Sequence, residues 1–386
     1  MNSSRTVGFF SIFTVFISII IGALLLNPLW AKFAVPGLFP SEIMPPITAP
    51  VDGIYYILNA KLGYRWSTLD PLSLWFHPLL SWLLQIAPQW ISTNFWFWSI
   101  SICFAAASLP LIYRLTLLVS VKNELPARII PLCLLAPGGL GLATGNAEIP
   151  TLFFVLVLLL SVLLWQKSWL TILAAFLAML TKPNSLYMVP ILLVYFIDGI
   201  EKRKAQLWKQ ALIGIITLLL TWLLWAWWVD WQTGYVGIYW KMRLLARYYL
   251  GAGDIGAFFK QFIGAFYEGD LRNMIRYSTS LIIPLANLII IGLIPLSDES
   301  HRYAMAAGNL AMLAITLYLA NPNKVIVYTT TLPGYFTAHL ILLDSAITTA
   351  PAFTKLSRLG VVTLYGFYCL AMILVFVLGT PSRWYH

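Results

Sequence analysis

Long apolar runs separated by short polar connections recur along this chain. They fall at 8–30, 94–119, 129–145, 149–166, 169–181, 185–199, 211–229, 279–296, 303–320, 327–346 and 359–380. A helix needs roughly 20 apolar residues to cross a hydrocarbon core of about 30 Å. The pattern therefore predicts an all-α, polytopic integral membrane protein with about eleven spans. A transmembrane β-barrel would alternate apolar and polar positions rather than run apolar ones together. Two runs, 169–181 and 185–199, are short and flank Lys182-Pro183-Asn184. Two short half-spans or one kinked element both satisfy that length. The first run is too long for a typical signal-peptide core, and no small-residue cleavage pattern follows it, so it reads as a retained first span.

The connections carry their own patterns. Segment 72–88, interrupted by Pro78, is too short for a span and predicts a helix lying at the outer interface. The same holds for 254–276, where Phe258, Phe259, Phe262 and Phe266 recur at helical spacing between charges. Stretch 222–240 is rich in Trp at a predicted membrane boundary, as an aromatic belt is. No stretch longer than about 60 residues lacks a spanning segment, so residues 1–386 form a single transmembrane domain. Its outer loops are 31–93 and 230–277.

Composition sharpens this picture. Apolar residues make up 60% of the chain and charged residues 10%, against about 25% charged in soluble domains. The net charge of +10 does not indicate nucleic-acid binding, because much of it lies in short loops where Lys and Arg set orientation. With a cytoplasmic N-terminus, the inner connections hold Arg5, Lys122 with Arg128, Lys167, Lys202-Arg203-Lys204 with Lys209, Arg302, and Lys355 with Arg358. Cys103, Cys133 and Cys369 fall within apolar runs, with neither metal spacing nor a disulfide framework, and read as small core residues.

That orientation gathers the unusual polar residues on the outer side. Asp52 follows the first span, in a polar, aromatic loop. Asn146 and Glu148 link spans three and four, and Lys182 and Asn184 link spans five and six. Asp230, Lys241, Arg243 and Arg247 open the long outer loop, and Asn321, Asn323 and Lys324 link spans nine and ten. Only 14 residues of the chain are acidic, so a carboxylate at a membrane boundary stands out. Each residue has a structural role open to it. Lys182 can snorkel to head groups, Glu148 can favour a helix start, Asp52 can cap a helix beginning at Gly53, and Lys324 can anchor the interface. Together they suit group transfer from a lipid phosphate. The carboxylate would take a proton from an acceptor hydroxyl, and the cations would hold the departing phosphate.

These residues also sit in familiar surroundings. Asp52-x-x-Tyr55-Tyr56-x-x-x-Ala60-x-x-Gly63-Tyr64 resembles the first-loop motif of the GPI-anchor second mannosyltransferase family. Trp75-Phe76-His77-Pro78-Leu79-Leu80 is similar to that family's aromatic-proline-leucine segment. Gly145-Asn146-Ala147-Glu148, followed by Phe153, is similar to its small-polar-Glu turn, and Leu180-Thr181-Lys182-Pro183-Asn184-Ser185 to its Leu-Thr-Arg/Lys-x-Asn-Gly turn. Asn321-Pro322-Asn323-Lys324, followed by Pro333, stands where related enzymes have a basic residue before a Pro-containing span. Val51 stands where the family commonly has Trp, Ser185 replaces the Gly, and His77 replaces an aliphatic or aromatic residue.

The resemblance implies a GT-C-like multispanning glycosyltransferase acting on the outer or lumenal face with a polyprenyl- or dolichyl-phosphate sugar. Asp52 would be the general base, and Lys182, Lys324 and Arg243 the donor-phosphate ligands. Tyr55, Tyr56, His77, Asn146, Glu148, Asn184 and Asn321 would be the substrate contacts. Mannose is the sugar it supplies. The acceptor would be a glycolipid, a glycan or a protein, with an accessory subunit possible. The membrane would be a bacterial plasma membrane or the endoplasmic reticulum. No Asp-x-Asp pair stands in the first loop, which weakens the case for an essential divalent metal. A transporter or lipid flippase is the competing class; it would carry broken helices and internal repeats near mid-bilayer. A non-catalytic assembly subunit is the third.

Overall fold

A computed structural model of the chain describes residues 51–64, 76–119, 147–241, 255–271 and 296–319, with scattered positions at 12–20, 74 and 273–292. The helices of these residues are α1 (Val51–Leu62), α2 (Pro78–Gln85), α3 (Thr93–Val119), α4 (Glu148–Leu160), α5 (Ser168–Thr181), α6 (Met188–Glu201), α7 (Ala205–Thr233), α8 (Ile255–Tyr267) and α9 (Glu299–Leu319). No strand occurs among the described residues. The expected spans at 129–145, 327–346 and 359–380 lie outside the described residues, as do most of 8–30 and of 279–296.

Among the described residues, four helical stretches are long and apolar enough to cross a membrane: Thr93–Val119, Glu148–Trp165, Pro183–Glu201 and Ala205–Thr233. They coincide with the apolar runs at 94–119, 149–166, 185–199 and 211–229. The last is longer at both ends than its apolar run, because polar residues there are satisfied by the protein. Gln210 Nε2 donates to Ser168 Oγ at 2.9 Å, and Gln210 Oε1 accepts from Thr171 Oγ1 at 2.9 Å. At the other end, Asp230 accepts two backbone N–H groups of the following loop.

The 169–199 region is two elements rather than one. Lys182 turns extended before Pro183, as the residue before a proline is pressed to do, and a 3-10 turn, Pro183–Tyr187, leads into α6. The start of α5 bonds Gln210 near the start of α7. The end of α6 lies against Trp208, also near the start of α7. The two helices therefore rise and return. With 14 residues, α5 is about 21 Å long, shorter than the hydrocarbon core.

Lipid tails are as apolar as Leu, so close packing must hold such a bundle together. α4 packs between α3 and α5, α7 against α5 and α6, and α9 against α6. Leu109, Leu156, Ala178, Leu192 and Leu218 are fully buried where these helices meet. Gly214 lets α7 approach α6, since a Cβ there would stand 2.9 Å from Leu192 Cδ1. The hairpin between α6 and α7 ends α6 in a Schellman motif. Arg203 takes the left-handed conformation (φ 54°), Lys204 N–H donates to Gly199 O at 2.8 Å, and Arg203 N–H to Ile200 O at 3.1 Å.

Three expectations change. Pro78 opens α2 instead of interrupting a helix, because proline fits the first helical turn, where no N–H is needed. Cys103 lies on an exposed face of α3 rather than in the core. The Trp-rich stretch is only partly a belt. Trp227 and Trp231 are exposed, but Trp225 is buried with Tyr64, Leu74, Val229 and Tyr239.

Candidate functional site

The outer end of the predicted topology is organised around the C-terminus of α5. A helix leaves its last four carbonyls without intrahelical partners, and Pro183 prevents continuation. Side chains from the following turn and from distant segments supply donors. Ser185 Oγ donates to Ala178 O at 2.8 Å, the His77 ring bonds Met179 O, and the Tyr56 hydroxyl donates to Thr181 O at 3.4 Å. The first outer segment, carrying Tyr56 and His77, is thereby fastened to the residues immediately before Lys182.

His77 is fully buried at the start of α2. A carbonyl can only accept, so Nδ1 carries the proton toward Met179. In the neutral ring Nε2 is then the acceptor, and it takes the Tyr239 hydroxyl proton at 3.1 Å. The Tyr239 oxygen in turn accepts Trp222 Nε1–H at 3.0 Å. Tyr239 is held by Asp230, whose carboxylate accepts the Gly237 N–H at 2.7 Å and the Tyr239 N–H at 3.0 Å. Tyr64 donates to Phe76 O at 2.9 Å, fixing the approach to His77. Burial pushes the Tyr64 phenol pKa well above its ordinary value, so it remains a neutral donor.

Beside this frame lies an ion pair. Lys182 Nζ bonds Glu148 Oε1, and the two side chains keep only 9% and 10% of their exposure. Each charge suits its helix end. Glu148 lies in the first turn of α4, where the dipole favours an anion, and Lys182 caps the end of α5, where it favours a cation. Asn184, in the following 3-10 turn, has a buried side-chain nitrogen without a hydrogen-bond partner among the described residues, and so does Trp225 Nε1. Ala147, beside Glu148, shares a buried cluster with Tyr56, Leu80, Leu84 and Phe97.

Asp52 lies within α1, not in a loop. Helix α1 already starts at Val51, so Asp52 does not precede it as an N-cap. Positions 52, 55 and 56 share a helical face by their spacing. Tyr55 stacks on Phe76 with ring centroids 4.7 Å apart, and Tyr56 meets the same ring edge-on at 5.1 Å. Glu148, Lys182, Asn184, Tyr55, Tyr56 and His77 are thus drawn to one end of the bundle. Asn146, Arg243, Asn321 and Lys324 lie outside the described residues. Among the described residues no group of three or more His, Cys, Asp or Glu side chains is placed to hold a metal ion.

Sequence reasoning missed Tyr239, Trp222 and Tyr64 as members of this site. Spacing gives no signal for a contact across 162 residues such as that between His77 and Tyr239. The available hint was a lone His in an apolar segment, which needs polar partners when buried. Comparison of the chain with models of known protein families, with curated proteins and with solved structures finds no match.

Proposed function

We propose that this protein is a membrane glycosyltransferase of GT-C-like, eleven-span architecture. It moves a sugar, mannose by resemblance, from a polyprenyl- or dolichyl-phosphate donor to an acceptor hydroxyl at the outer or lumenal face. Asp52 takes the acceptor proton as the hydroxyl oxygen attacks the anomeric carbon. The bond from that carbon to the phosphate oxygen breaks, and the lipid phosphate departs toward Lys182 and Lys324. The observation that carries the reading is the fastening of α1, the helix of Asp52, to the end of α5 beside Lys182 through Tyr56. Two sequence-distant segments that this reading assigns to one transfer thereby adjoin.

The direct experiment incubates purified protein with a panel of polyprenyl-phosphate sugars and an acceptor extract, scored by release of polyprenyl phosphate. Asp52→Asn is expected to lower transfer by at least about 100-fold, the scale of general-base loss, with donor binding nearly intact. Full activity of Asp52→Asn excludes this base.

One observation favours a lipid flippase instead. The short helix α5 breaks at Lys182-Pro183 beside a nearly buried ion pair, and broken helices line transport sites. Movement of fluorescent lipid phosphate across vesicles containing the protein, without sugar release, selects that reading.

A further inference from the structure

We propose that Glu148 is the internal competitor of a lipid phosphate for Lys182. In this state Lys182 is held by a carboxylate, and incoming phosphate must take that carboxylate's place. The inference rests on the proposed donor class and adds a residue that sets donor affinity.

The geometry supports an exchangeable pair more than a fixed tie. Both charges are almost withdrawn from solvent, so Lys182 without an anion would be costly. A phosphate oxygen offers the same kind of charge-assisted acceptor as Glu148, so the exchange keeps the ammonium satisfied. The turn already holds a further donor. Asn184, two residues along, has a buried amide nitrogen with no hydrogen-bond partner among the described residues. A carboxylate at the start of α4 keeps the favourable field of that helix end when the ammonium is withdrawn. The exchange therefore replaces the Glu148 contact of Lys182 with one to phosphate, with the Asn184 amide in the same turn.

The test measures equilibrium binding of a short-chain polyprenyl phosphate to full-length protein in detergent, with no sugar and no acceptor. Glu148→Gln keeps the shape and removes the competing charge. It is expected to bind the lipid phosphate about tenfold more tightly, the weight of one charge-assisted hydrogen bond. Unchanged or weaker binding overturns the proposal. The uncharged polyprenol should bind Glu148→Gln and wild type alike; a matching gain for polyprenol also overturns it. Inorganic phosphate should compete only weakly, and binding as tight as that of the lipid would overturn the lipid assignment.

Should Glu148→Gln fail to fold, the double variant Glu148→Gln with Lys182→Gln keeps a neutral pair in the same space. Its preference for polyprenyl phosphate over polyprenol should fall about tenfold below that of wild type, and an unchanged preference refutes the role of Lys182. The outcomes separate from those of sugar transfer. A protein that binds as stated but transfers nothing refutes the glycosyltransferase and keeps this inference. One that transfers sugar while Glu148→Gln binds like wild type does the reverse.

Discussion

His77 shows what a single buried polar residue does in this protein. It lies in an apolar stretch, yet its two nitrogens serve different segments: Met179 O on α5 and the Tyr239 hydroxyl beyond α7. His77→Phe would preserve ring volume and leave both partners unsatisfied in a buried place. We expect a loss of about 2 kcal/mol or more, the scale of an orphaned buried polar group, read from thermal unfolding in detergent. Adding Tyr239→Phe removes one of the two orphans. The double variant should lose about 1 kcal/mol less than the sum of the singles. Strict additivity would show that the Nε2 contact contributes nothing. The same residue scale explains Lys182 and Glu148, each suited to its helix end and each compensating the other.

At the scale of elements, the α6–α7 hairpin depends on one glycine. A Cβ at Gly199 would lie 2.6 Å from the Trp208 backbone nitrogen, and backbone cannot swing aside as a side-chain tip can. Alanine normally favours a helix by about 1 kcal/mol over glycine. The clash is expected to reverse that sign. Gly199→Ala should lower the unfolding temperature, and a raised one would show that the hairpin opens freely. Arg203, left-handed in the same turn, gives the opposite expectation. Arg203→Gly relieves the strain of a side chain there and should stabilise by roughly 0.5–1 kcal/mol, read in the same unfolding assay.

At the scale of the whole molecule, the end of the bundle opposite Lys182 is also tied by polar contacts. Lys202 bonds Asp198 and Asp298, each at 2.7 Å, and the Tyr195 hydroxyl meets His301 Nδ1 at 2.9 Å. These contacts join α6 to the start of α9. Burial lowers the His301 pKa below its ordinary 6.5, outweighing Asp298 and Asp198, which raise it. The unfolded chain then binds the proton first, so stability is fullest above pH 6.5 and falls as pH drops toward the folded value. Asp298 is pushed up by burial but more strongly down by its hydrogen bonds to Lys202 and Ser300, reaching about 2. Its contribution is present above its ordinary 3.8 and is lost as pH falls toward 2. Unfolding measured against pH should therefore show two downward steps on acidification. His301→Phe should remove the step below pH 6.5, and Asp298→Asn the lower one. A His301→Phe profile identical to wild type would contradict the first assignment.

The sequence by itself determined the helical class and the helices long enough to cross a membrane. Runs such as 94–119 and 149–166 match Thr93–Val119 and Glu148–Trp165 to within a residue, because apolar length is a local property set by the bilayer. It also singled out Lys182-Pro183-Asn184 as a break, since proline acts on its immediate neighbours. Only the tertiary structure decided that the break is a rise and return, that Lys182 meets Glu148, and that His77 joins α5 to Tyr239. It also decided that Gln210 and Asp230 belong to one long helix, where local polarity had suggested earlier ends. Those outcomes rest on which donor reaches which orphaned carbonyl or charge across the bundle. A buried polar group must be satisfied by whatever is near in space, and spacing along the chain carries no record of that partner.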